Sequence, residues 1–167
     1  MKRIRGFTLM EMLVLLVVIA IVAAVGLPNF TQMVRANQVT SYGNSLVGAV
    51  QLARGMAAQR GEGMAICGSS NGVACDGNWG AGWMVYADPN GNANNPAEAA
   101  DIMRVGNGND ALTATTNGGI VRFTSQALRH EDSIDALLVA RADCGDEGRL
   151  RITIVAGGRA SAQRVDC

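Results

Sequence analysis

The sequence has few of the residues that most enzyme chemistry needs. It has one histidine, His130, and none of its four cysteines forms a C-x-x-C pair, so no metal-ligand set appears at workable spacing. No Ser/His/Asp set, paired carboxylates or phosphate-cradling glycine loop is visible, so no catalytic residue and no cofactor are expected. Aromatic residues make up only 4% of the chain, which leaves core packing to Val, Ile, Leu, Met and Ala. Net charge is zero and the single lysine, Lys2, lies at the start. Setting aside Lys2, Arg3 and Arg5 leaves 11 of the 14 basic side chains against 14 acidic ones. A mildly acidic remainder argues against bulk attraction to nucleic acid or acidic lipid.

Charge is also missing locally. From Met12 to Val34 no residue is charged, and Met12–Leu27 is apolar or glycine throughout. Counted from Phe7, this run reaches the ~20 residues a helix needs to cross a bilayer. The basic residues before it predict a cytoplasmic N-terminus. No small-x-small cleavage site closes the run, which argues against a secretory signal. Glu11 stands inside the start of this run. A carboxylate in hydrocarbon costs at least ~2.5–3.5 kcal/mol on insertion scales, so it calls for a reason.

Pro28 removes one backbone hydrogen bond and is expected to bend the helix without ending it. Beyond it, Phe30, Val34, Tyr42, Leu46, Val50, Ala53 and Ala57 recur mostly three or four apart among polar residues. That spacing predicts an amphipathic helix ending near Arg60. The period then changes. "GMAIC", "GWMVYAD", "DIMRVG", "GIVRFTS", "DALLVARAD" and "LRITIVAG" read as short strands between Gly/Asn/Asp turns. The fold class is therefore α+β: a long N-terminal helix packed on an antiparallel sheet. The expected divisions are a leader at 1–6, a transmembrane half-helix at 7–29, an amphipathic half at 30–61 and a β-rich domain at 62–167.

Asp88 to Asp101 imitates a calcium loop, with Asp88, Asn90, Asn92 and Asn94 at alternate positions. Ala93 stands where glycine is required and Ala99 where the bidentate glutamate belongs, so it reads as a loop without metal. The "HEDSID" run around His130 reads as a solvated turn, and Trp79 and Trp83 read as packing residues. Cys67, Cys75, Cys144 and Cys167 all follow the apolar run, as expected for two disulfides in an oxidising compartment. Three connectivities are open. Local pairing, Cys67–Cys75 and Cys144–Cys167, is favoured because each pair brackets a turn or strand return.

Gly6-Phe7-Thr8-Leu9-Met10-Glu11, after a short basic leader and before an unbroken apolar run, resembles the N-terminal signature of type IV pilins and type II secretion pseudopilins. The resemblance implies that a prepilin peptidase cuts between Gly6 and Phe7 and methylates the new amine of Phe7. It makes Glu11 the family's acidic residue and Pro28 its helix-kinking proline. Arg54, Ala57, Cys67, Cys75, Trp79, Gly82, Trp83, Asp88 and the late Gly158-Arg159 resemble the GspH/FimT group of minor pilins. That resemblance implies a pilin-like fold and partnership with other pilins through the N-terminal helix. It also implies an inner-membrane anchor and a periplasmic C-terminal domain. The leading expectation is a minor pilin of type IV pilus assembly, initiation or tip. The alternatives are an H-type pseudopilin of type II secretion and a DNA-binding pilin for transformation. For DNA the candidate contacts are Arg149, Arg151, Arg159 and Arg164. DNA is the disfavoured partner because Ser161 stands where a second arginine of a Gly-Arg-x-Arg pattern would be, and nearby carboxylates offset the charge.

Overall fold

The computed structural model describes residues 7–92, 94–96, 98–109, 111–116, 119–145 and 148–167, with backbone only at Val25 and Pro28. The expected leader, with Gly6, lies outside the described residues. Helix α1, Leu9–Arg60, is a single helix of 52 residues that runs through Pro28. It ends where Gly61 takes the left-handed conformation (φ 66°) and returns its N–H to Ala57 O at 2.9 Å, a glycine stop that a side chain would strain.

By contacts the chain forms two compact units, Met1–Arg35 and Ala36–Cys167. In the first, the large apolar side chains are exposed, including Phe30 and Met33 at 64%. The expected buried stripe therefore begins at Val39, not at Phe30 or Val34, because Phe30 and Val34 have no core to enter. In the second unit, α1 turns Val39, Tyr42, Leu46, Ala49, Val50, Ala53 and Ala57 inward, at helical spacing.

Among the described residues eight antiparallel strands follow: β1 (Met64–Gly68), β2 (Gly82–Ala87), β3 (Ile102–Asn107), β4 (Leu112–Thr116), β5 (Ile120–Phe123), β6 (Ala136–Arg141), β7 (Arg149–Ile154) and β8 (Ala160–Val165). They form two sheets, ordered β3-β2-β1-β5 and β4-β6-β7-β8, where the sequence suggested one. β4 and β8 were missing from the sequence reading. Their segments, "LTATT" and "ASAQRV", carry too little apolar alternation to stand out, and each lies at an edge of its sheet.

The main core joins the α1 stripe to one face of each sheet, through Met64, Ile66, Val85, Val121 and Phe123 from the first and Leu137, Val139, Leu150, Ile152 and Ile154 from the second. Helix and second sheet come so close at Gly43 that a Cβ there would collide with the Leu150 side chain. Trp79 and Trp83 are buried in this core. Tyr42 donates its hydroxyl hydrogen to Trp79 O.

The first sheet is also covered on its other face, where Ala65, Cys67, Met84, Tyr86 and Ile120 form a smaller cluster. Arg122 belongs to that face, since it pairs with Ala65 across from Tyr86. Its Nε donates to Asp88 Oδ2 at 3.2 Å and its Nη2 to Asn94 Oδ1 at 3.0 Å, with Asp88 only 1% exposed. Asp88 Oδ1 also accepts from Asn92 N–H at 3.1 Å. The segment that imitates a calcium loop is thus pinned by a buried ion pair. Removing one partner of such a pair costs about 3–5 kcal/mol, because the survivor stays buried and unpaired. Denaturant unfolding should show a loss of that size for Asp88→Ala and for Arg122→Ala. The double variant should lose clearly less than the two together, and additive losses would refute the coupling.

Both tyrosines are buried. Burial pushes the Tyr42 phenol up to about 12. Tyr86 is raised too, by burial first and then by the Asp88 carboxylate, with Arg122 opposing. An unfolded tyrosine ionises near pH ~10, so above that pH the unfolded chain loses protons that the folded chain keeps. Stability should therefore be level below pH ~10 and fall as pH rises toward 12. Tyr42→Phe should make that fall shallower, leaving the part due to Tyr86. No lysine of the domain titrates in this window to obscure the measurement.

Candidate assembly site on the N-terminal helix

Phe7 and Thr8 precede the helix, and Phe7 is 68% exposed. Thr8 starts α1 as its cap. Its Oγ1 accepts the Glu11 N–H at 3.2 Å and its carbonyl accepts the Met12 N–H at 3.2 Å. One of the free amides of the first turn is satisfied in this way. The sequence reading missed Thr8, although a hydroxyl three residues before a glutamate at the head of an apolar run is a readable cap signal.

Glu11 falls in the first turn, where the helix dipole favours a negative charge. Its side chain is exposed and makes no ion pair or hydrogen bond among the described residues. Beyond it, Leu13, Val14, Leu16, Val17, Ile19, Ile21 and Val22 are all at least half exposed, around the whole circumference. Such a surface needs an apolar environment from outside the chain. The helix is long and apolar enough to cross a membrane. One carboxylate at the head of this surface is chemically equipped to hold a cation brought by another molecule.

The cysteines join as Cys67–Cys75 and Cys144–Cys167, with Cα separations of 5.7 and 6.0 Å. The first bridge buries Cys67 against the second face of the first sheet, whereas the second ties the exposed last residue to the β6–β7 connection.

The four candidate arginines are divided among different surroundings. Arg149 and Arg151 alternate with buried Leu150, Ile152 and Ile154, so they face outward. Arg149 donates Nε to Asp166 O at 3.1 Å and Nη2 to Cys167 O. Arg164 stands opposite Leu150 and reaches the helix, where Nη2 donates to Thr40 Oγ1 at 2.8 Å. Arg159 lies in the exposed turn before β8. In a parallel contact, Arg141 Nη1 donates to Gln38 Oε1 at 3.1 Å. Neither helix anchor was anticipated, since the partners are 103 and 124 residues apart.

A long apolar helix with one carboxylate in its first turn, continued as the spine of a two-sheet domain, is the plan of a pilin-class structural subunit. The family model described as Type II transport protein GspH matches residues 43–163. The model of the prokaryotic N-terminal methylation motif matches residues 1–27. The chain belongs to the GspH family and carries the N-terminal methylation motif. Two crystal structures of the type IV minor pilin FimU of Pseudomonas aeruginosa strain PAO1, in space groups P21 and P65, share the fold. Their TM-scores are 0.60 and 0.57 at 18% identity, covering 76% and 74% of this chain and 89% and 91% of theirs. No curated protein matches the sequence.

DNA affinity arises mainly from counterions released when clustered cations meet phosphates. With Arg149 and Arg164 engaged and the four arginines divided between faces, few phosphates are met at once. The domain should bind labelled duplex no more tightly than the ~10⁻⁴–10⁻⁶ M of non-specific association at physiological salt. Arg159→Ala should change the anisotropy titration little; sub-micromolar binding abolished by that substitution would reinstate a DNA receptor.

Proposed function

We propose that the chain is cut between Gly6 and Phe7 by a prepilin peptidase, methylated on the Phe7 amine, and drawn from the inner membrane into a type IV pilus. There it helps to initiate the filament or forms part of its tip. Before assembly the basic leader lies in the cytoplasm and the β-rich domain in the periplasm. The observation that carries this reading is Glu11: an exposed carboxylate without a partner among the described residues, at the head of a helix apolar on every side.

In the filament core the methylated amine of a neighbour's Phe7 neutralises Glu11. Each charge alone costs a few kcal/mol in an apolar medium, and the pair relieves both. Assembled subunits are thereby favoured over lone ones, and the pair fixes the axial register between helices, as single buried polar groups do in coiled coils.

The family match, described as a type II transport protein, favours a second reading: the H-type pseudopilin of a secretion system. The two share processing and helix pairing and differ in the assembly they enter. Deleting the gene should abolish surface pili while secretion of exoproteins continues; the opposite result selects the secretion reading.

For the shared chemistry, mass spectrometry of the mature protein should find N-methylated Phe7 at its start, and Gly6→Val should leave the precursor uncut. Glu11→Val should reach the membrane at wild-type level yet be depleted from sheared filaments. Undiminished incorporation would remove the pairing argument.

A further inference from the structure

The two disulfides stand in opposite surroundings. Cys67 is buried in β1, a strand paired on both sides, and Cys75 packs against the same cluster of Met84, Tyr86 and Ile120. The chain between them is fastened by its own side chains. Ser69 Oγ donates to Ala74 O at 2.6 Å, and Asn71 Oδ1 accepts from Val73 N–H at 2.9 Å and from Ala74 N–H at 3.0 Å. Asn95 Oδ1 accepts from Cys75 N–H at 2.6 Å. The Cys67 sulfur is reached only by taking the first sheet apart.

Cys144–Cys167 lies outside both apolar clusters. Cys167 is exposed and Cys144 half-buried. The strand this bridge secures, β8, is an edge of the second sheet and pairs with β7. Only Ala160 of β8 is buried, so the strand brings one methyl group to the core, whereas Leu150, Ile152 and Ile154 of β7 all belong to it. The far end of β8 is held by polar, exposed contacts: Arg164 Nη2 on Thr40 Oγ1, and Arg149 on the carbonyls of Asp166 and Cys167. Water competes for such bonds, and their net contribution is small. A strand with so little apolar burial belongs to the low-stability end of a fold, where opening happens without global unfolding. The bridge makes that opening costly, because it restricts the freedom β8 gains on leaving.

We propose that Cys144–Cys167 is a reversible redox clasp on β8: when a dithiol reduces it, β8 leaves the second sheet while the rest of the domain stays folded. A thiolate of the reductant attacks the exposed Cys167 sulfur, Cys144 departs and takes up a proton, and a mixed disulfide forms. The second thiolate of the reductant then attacks the reductant's own sulfur in that bond. Cys167 departs and is protonated, and the reductant ends as a disulfide. Two electrons and two protons have passed to the chain, and oxidation reverses both steps. Opening separates Arg164 from Thr40, one of the ties between α1 and the second sheet. It also turns β7 from an inner strand into an edge, and a bare edge is a template for another strand. The clasp does not depend on which assembly the chain enters.

The test uses the full chain in detergent micelles, with dithiothreitol as the dithiol. Samples withdrawn over time are alkylated with N-ethylmaleimide and mapped by mass spectrometry, and amide hydrogen exchange is followed in parallel. Cys144 and Cys167 should be alkylated about tenfold faster than Cys67 and Cys75, because the reductant's access to the sulfur governs the rate. At that stage the paired amides of β7 and β8 should exchange about tenfold faster, with β1 and β2 unchanged. Reoxidation with oxidised glutathione should restore their protection. A Cys144→Ser/Cys167→Ser chain should fold and show the same loosening without reductant. Arg164→Ala, which cuts one tie and keeps the bridge, should loosen β8 less. Alkylation of all four cysteines together, undiminished protection of β8 after reduction, or loss of β1 and β2 along with β8 would each overturn the proposal. So would a doubly substituted chain that does not fold.

Discussion

Both sheets meet on a single apolar stripe of α1, and the order of the domain follows from the burial of Val39, Tyr42, Leu46, Val50, Ala53 and Ala57. Leu46, Val50, Ala53 and Ala57 are fully inaccessible to water. Burying a side chain the size of Leu or Val contributes about 1.5–3 kcal/mol. The small residues contribute mainly by letting strands approach the helix. A chain with so few aromatics compensates in this way, by closeness of packing more than by bulk. Its exceptions, Trp79, Trp83 and Phe123, fill the space between helix and sheet.

The same helix obeys the opposite rule before Ala36. There apolar side chains appear on every face, and the amphipathic period fades into a run that only a membrane or other apolar helices can satisfy. A helix of 52 residues therefore serves two solvents, and the change occurs within a few residues of Arg35. Arg141 on Gln38 and Arg164 on Thr40 sit just beyond that change, within the domain, and tie the start of its helical segment to the second sheet.

Much of this was legible in the sequence, because periodicity reports burial. The helix and its end at Arg60, six of the eight strands, and the packing role of the two tryptophans all follow from spacing and composition. The division into two sheets was hidden. β4 and β8 are polar edge strands, and nothing local in "LTATT" distinguishes a strand from a loop. Asp88 and Arg122 were hidden for another reason. Each looks ordinary in its own segment, and only the antiparallel register sets Arg122 beside Ala65 and Tyr86, under the loop that Asp88 begins. Glu11 stood out because a lone carboxylate in an apolar run is conspicuous without any fold, and its role in assembly is a proposal drawn from that chemistry. Thr8 was not singled out, since its role is local geometry at the helix start.

The meeting of Gly43 and Leu150 has a mechanical consequence. Were the chain held by its N-terminal helix, as proposed, an axial pull would reach the domain through α1, along the direction in which helix and sheet would slide past one another. Leu150 occupies the notch that Gly43 leaves open. A slip of one helical turn, about 5.4 Å, would bring Val39 or Val47 to that notch, where a branched side chain has no room. The notch therefore acts as a detent: tension loads the interlocked interface in shear, and the helix is drawn out of its domain only when many contacts fail together.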